Sequence, residues 1–70
     1  MVTLEPIASG ALSGVGYDAE LSVLTIEFRD GGTYQYFAVP ESLYRALIDS
    51  EHPWTELSDA VKRHPFRRLE

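Results

Sequence analysis

The sequence predicts an α+β fold: a three-stranded antiparallel β-meander packed on one face by two short helices, ending in a short strand or extended tail. Three observations carry this. Two runs around a Gly-Gly pair alternate apolar and polar residues, the period of a half-buried strand. Two later stretches repeat apolar residues at helical spacing, and prolines stand where each stretch begins or ends. A sheet face and two helix stripes must bury against each other, which makes a two-layer domain.

The hairpin is the best-defined element. Leu24, Ile26 and Phe28 point one way, with Thr25, Glu27 and Arg29 opposite; Tyr34, Tyr36 and Ala38 share a face, with Thr33, Gln35, Phe37 and Val39 on the other. Partners facing across adjacent strands lie on the same side of a sheet. A Gly31-Gly32 loop would oppose Phe28 to Gln35, which mixes the faces. A three-residue Asp30-Gly31-Gly32 loop instead pairs Phe28 with Tyr34 and Ile26 with Tyr36, and sets Glu27 beside Gln35 on the other face. Such loops end on a left-handed residue, and Gly32 falls at that position.

Upstream, residues 1–11 form a loose lead-in and 12–70 a single domain. Leu12 to Asp18 is the first strand, its Gly14 and Gly16 suiting a bulge or a close backbone approach. Asp18-Ala19-Glu20 turns it into the middle strand. Downstream, Pro40 suits a first helical position. Leu43, Tyr44, Leu47 and Ile48 then mark a helix near 40–50, with Glu41, Arg45 and Asp49 laddered on its wet side. Pro53 opens a second helix striped by Trp54, Leu57 and Val61, which Pro65 ends at about His64. Phe66 to Leu69 forms the closing strand or strap.

A chain of 70 residues holds one small core. It has no cysteine, so it carries no disulfide framework and no thiolate metal site, and this composition suits a reducing compartment. With no signal-like start and no apolar run near the roughly 18 residues of a membrane helix, the expected location is cytoplasmic. The formal charge of −5 is uneven: residues 1–61 carry two basic and ten acidic side chains, residues 62–70 four basic and one acidic. Polyanion contact by the whole surface is excluded; the tail is the local exception.

Ser9, Leu12, Val15-Gly16-Tyr17-Asp18, Leu24, Ile26, Phe28, Gly32, Tyr34-Gln35-Tyr36, Val39-Pro40 and Tyr44, in that order and spacing, resemble the KTSC domain. This short module is found at the C-terminus of some lysyl-tRNA synthetases and as free-standing bacterial or phage proteins. The resemblance runs from about Ser9 to Leu69. Where the family has a Ser-x-Gly, aromatic, Asn stretch, this chain has His52-Pro53-Trp54-Thr55-Glu56-Leu57-Ser58, about one residue shorter. What the resemblance implies about function is slight: an unknown role, with RNA binding suggested by the synthetase association.

Each candidate site has a structural alternative. Lys62, Arg63, His64, Arg67 and Arg68 are the residues to grip RNA or another acidic partner; the alternative is that Lys62 and Arg63 complement a helix C-terminus. Tyr34 and Tyr36 are an aromatic platform only if they face solvent, whereas the register turns them toward the helices; with Gly32 and Pro40 they are read as structural signature residues. Val23, Phe37 and Val39 form a candidate interaction face, for a partner or a second copy, unless Phe66 and Leu69 of the tail cover it. His52 and His64 stand twelve residues apart across a helix, roughly 18 Å at 1.5 Å per residue, too far for one metal ion. Glu56 and Asp59 read as a solvated helix face, and no phosphate loop, HExxH or nucleophile elbow is present. The expectation is a non-enzymatic binding domain without cofactor, metal, membrane contact or small-molecule substrate: RNA binding through the basic segment first, self-association or protein binding through the Phe37 face second.

Overall fold

A computed structural model describes residues 4–6 and 10–69. Its elements are β1 (Glu5–Pro6), β2 (Leu12–Asp18), β3 (Val23–Phe28), β4 (Thr33–Tyr36), α1 (Glu41–Asp49), α2 (Pro53–Lys62) and β5 (Phe66–Arg68). The strands form one antiparallel sheet in sequence order, β1-β2-β3-β4-β5. The α+β meander is therefore as expected, and the tail takes its strand alternative. Part of the lead-in also enters the sheet, since Glu5 and Pro6 pair with Val15 and Gly14. Residues 1–3 and 7–9, including Ser9, lie outside the described residues.

Each connection has a local cause. The Asp18 carboxylate accepts hydrogen bonds from the Glu20 and Leu21 N–H groups at 3.0 and 3.2 Å, turning β2 into β3. A bulge at Ser13 lets Leu12 pair with Phe28 while Gly14 pairs with Glu27. Leu12 and Val15, three residues apart, consequently both reach the core.

The hairpin keeps the expected faces but shifts its pairing by two residues. Ile26 opposes Tyr34, Leu24 opposes Tyr36 and Thr25 opposes Gln35. The Phe28 N–H donates to the Gly32 carbonyl at 3.0 Å and the Gly31 N–H to the Phe28 carbonyl at 3.1 Å. The three-residue loop is thus Arg29-Asp30-Gly31, with Gly31 at φ +109° and Gly32 at +96°. Parity excludes a shift of one residue but is blind to a shift of two.

Helices follow the expected stripes except at Ile48, which lies at the margin of the α1 face and is exposed. Pro40 caps α1 instead of occupying its first turn, and Pro53 opens α2. Between them the Ser50 hydroxyl accepts from the His52 N–H at 3.1 Å and donates to the Glu56 carboxylate. The Arg45–Glu41 arm of the wet ladder closes at 2.7 Å; both side chains are exposed, so it contributes little. One core joins the layers: Leu12, Val15, Leu24, Ile26, Val39, Leu47 and Val61 are fully buried and Tyr36 nearly so. Among the described residues no helix is long and apolar enough to cross a membrane.

Val39 is a correction to the expected interaction face. The chain leaves the sheet after Tyr36, and Ala38 adopts φ +57°. That left-handed step breaks the alternation and turns Val39 into the core, where its N–H donates to the Ser22 carbonyl at 2.9 Å.

Candidate functional site

The helices do not cover the whole face they pack on. α1 lies against β2, and the start of α2 reaches the hairpin through Trp54, whose ring meets Phe28 edge-on at 5.1 Å. Toward the β4–β5 edge an open cleft of about 510 Å³ remains, lined by Phe28, Tyr34, Tyr36, Trp54, Phe66, Lys62 and the loop residues Asp30 and Gly31.

Strand register builds the cleft. β5 pairs Phe66 with Tyr36 and Arg68 with Tyr34, so all four side chains share the helix side of the sheet. The Phe66 ring is 5.8 Å from both tyrosine rings, and Tyr34 and Tyr36 stack on each other at 6.4 Å. Phe28 meets Tyr34 edge-on at 5.4 Å. Tyr36 is the floor, 5 % exposed; Tyr34 is half-buried; Phe66 stands up as a wall, 60 % exposed. Burial, then the neighbouring Tyr34, raises the Tyr36 pKa above the ordinary phenol value of 10.0, so it remains a neutral hydroxyl at physiological pH.

Two cations sit on aromatic faces at the rim. The Lys62 ammonium lies 5.7 Å from the Trp54 ring and the Arg68 guanidinium 5.8 Å from the Tyr34 ring. The five residues of the expected basic grip therefore separate. Lys62 and Arg68 flank the cleft, and Arg63 is exposed at the C-terminal cap of α2. His64 is half-buried in the turn to β5. Arg67 pairs with Gln35 and so projects from the opposite sheet face.

That opposite face carries its own hollow, about 440 Å³, lined by Asp18, Leu21, Val23, Thr25, Gln35, Phe37 and Leu69. Leu69 reaches it because its N–H bonds the Thr33 carbonyl at 2.7 Å. Phe66 lies on the cleft side and does not cover Phe37, while Val23 is buried and Phe37 half-buried.

Sequence reasoning did not assign Phe28, Trp54, Phe66 or Asp30 to a site. The sequence of Phe66-Arg67-Arg68 does not alternate, and only its pairing with β4 places Phe66 with the tyrosines. No group of three or more metal-ligating side chains occurs among the described residues.

Comparisons with known proteins agree with this architecture. The KTSC domain family model matches residues 8–64. An uncharacterized protein of Stutzerimonas stutzeri strain A1501 is 31% identical over 61 residues, covering 87% of this chain and 86% of its own. A protein of Tsukamurella paurometabola is 30% identical over 59 residues, covering 84% and 88%. The crystal structure of a KTSC domain protein from Yersinia pestis superposes with a TM-score of 0.92 at 27% identity, covering 100% of both chains.

Proposed function

The chain belongs to the KTSC domain family, and we propose that it is a non-enzymatic module that binds single-stranded RNA in the cleft between α2 and the β4–β5 edge. One observation carries the reading: Phe66, an exposed aromatic wall, stands beside half-buried Tyr34, with the Lys62 and Arg68 cations at the rim. Unpaired bases stack on such rings, and cations beside them hold the connecting phosphates. Both cationic heads already lie on aromatic faces, so an incoming strand meets them partly organised.

The acidic body sets the character of the binding. With a net charge of −5 the molecule has no general affinity for polyanions, and contact is confined to the cleft. Two phosphates held by Lys62 and Arg68 give a shallow salt dependence, a slope of about −1.4 in log K against log salt. The test is fluorescence anisotropy with labelled oligouridylate across a salt series. Phe66→Ala is expected to weaken binding by about 1–3 kcal/mol, the worth of one stacked base. Paired Lys62→Ala and Arg68→Ala are expected to flatten the slope. Absent binding, or binding untouched by both changes, rejects the reading.

A second reading uses the Phe37 face for self-association. It is favoured by Leu21 and Leu69, 70 % and 47 % exposed beside the Phe37 hollow. It requires a molecular mass that rises with concentration and that Leu21→Glu returns to the monomer value.

A further inference from the structure

The cleft does not stop at the hairpin. A second hollow of about 400 Å³ is lined by Gly10, Ala11, Phe28, Arg29, Asp30 and Trp54. It shares Phe28, Asp30 and Trp54 with the cleft, so the two hollows adjoin along these three residues as neighbouring lobes with a common waist. Each lobe has its cation: Lys62 lines the first, with Arg68 over the Tyr34 ring beside it, and Arg29, whose guanidinium is 3.4 Å from the Leu12 carbonyl, lines the second. At the waist stands a single anion, Asp30, which has no ion pair or hydrogen bond among the described residues.

An anion at the middle of a groove otherwise flanked by cations disfavours a phosphate there and favours a base edge rich in donors. We infer that the waist selects guanine, an inference that rests on the RNA-binding reading above. An ionised carboxylate only accepts hydrogen bonds, through two oxygens side by side. Guanine presents N1–H and N2–H side by side on its Watson–Crick edge, matching both. Adenine and cytosine each set a ring acceptor next to their amino group, which a carboxylate repels. Uracil offers one N–H between two carbonyls. The Phe28 and Trp54 rings, packed edge-on against each other at 5.1 Å, supply one apolar surface beside Asp30 on which the base can stack.

The turn does not demand this residue. Asp30 occupies the second central position of the turn that spans Phe28 to Gly31, a place that Asn fills equally well. Asp30→Asn therefore keeps the loop while replacing one acceptor oxygen by a donor.

The experiment compares three labelled strands on the wild-type protein: oligouridylate, the same strand with one central guanosine, and the same strand with inosine there, which lacks the N2 amine. Guanosine is expected to tighten binding about tenfold or more over uridine, with inosine losing much of that gain. Asp30→Asn is expected to bring the ratio of guanosine-strand to oligouridylate affinity down toward one. Equal affinity for all three strands, or a preference that survives Asp30→Asn, overturns guanine selection while leaving RNA binding intact. Failure of every strand to bind overturns both.

Discussion

The Tyr17 hydroxyl donates a 2.5 Å hydrogen bond to the Val39 carbonyl, tying β2 to the link between sheet and helices. The same ring stacks on Tyr44 of α1 at 5.3 Å, nearly parallel. One side chain thus fastens the strand, the link that buries Val39 and the first helix. Tyr17→Phe keeps the stack and deletes only the donor, leaving a partly buried carbonyl unpaired. The expected loss is about 1–3 kcal/mol, read as a lower urea midpoint with unchanged slope. An unchanged midpoint would mean that water replaces the hydroxyl.

What is legible in the sequence, and what is not, follows from which signals are periodic. Alternation at Leu24, Ile26, Tyr34 and Tyr36 reports the face of each residue and is enough to place the helices on the tyrosine side. It reports nothing about a two-residue slip, and the loop accordingly lies at Arg29-Asp30-Gly31. Val39 escapes the pattern because Ala38 takes a left-handed conformation that alanine rarely adopts, set by the surroundings and not by its own preference. The cleft is hidden because it combines residues of α2, the hairpin and β5, brought together only by register. Three tail residues are too few for a period to show.

Substitution at Val39 separates core from surface directly. Val39→Ala is expected to cost about 2 kcal/mol, through lost burial and the cavity left behind. Leu21→Ala, at a side chain 70 % exposed, is expected to change stability by less than about 0.5 kcal/mol. Thermal and urea denaturation of the pair check the contrast, and equal effects would contradict the position of Val39.

Two glycines make a second contrast. A Cβ at Gly31 or at Gly10 would meet nothing within 4 Å, so neither substitution creates a clash. Gly31, however, sits at φ +109°, where an L side chain is strained against its own backbone. Gly31→Ala is expected to destabilise by about 1–2 kcal/mol. Gly10→Ala has no such strain and is expected to be neutral or slightly stabilising, because alanine restricts the unfolded chain. Denaturant midpoints for the two variants decide it, and an equal loss at both sites would show that the turn carries no conformational demand.

Alkaline pH addresses the floor of the cleft. Burial, and secondarily Tyr34, raises the Tyr36 pKa in the folded protein above 10.0. The folded state therefore holds the phenolic proton more tightly than the unfolded chain does. Its contribution is complete below about pH 10 and is lost as pH rises from there through the folded pKa, because the unfolded chain then gains by ionising first. Unfolding free energy is thus expected to fall at the alkaline end. Tyr36→Phe, which has nothing to ionise, is expected to reduce that fall while keeping the ring packing. Urea midpoints for both proteins, compared from about pH 8 to about pH 11.5 so as to bracket the phenol range, supply the comparison; parallel curves would assign the alkaline loss to other groups and leave Tyr36 as packing alone.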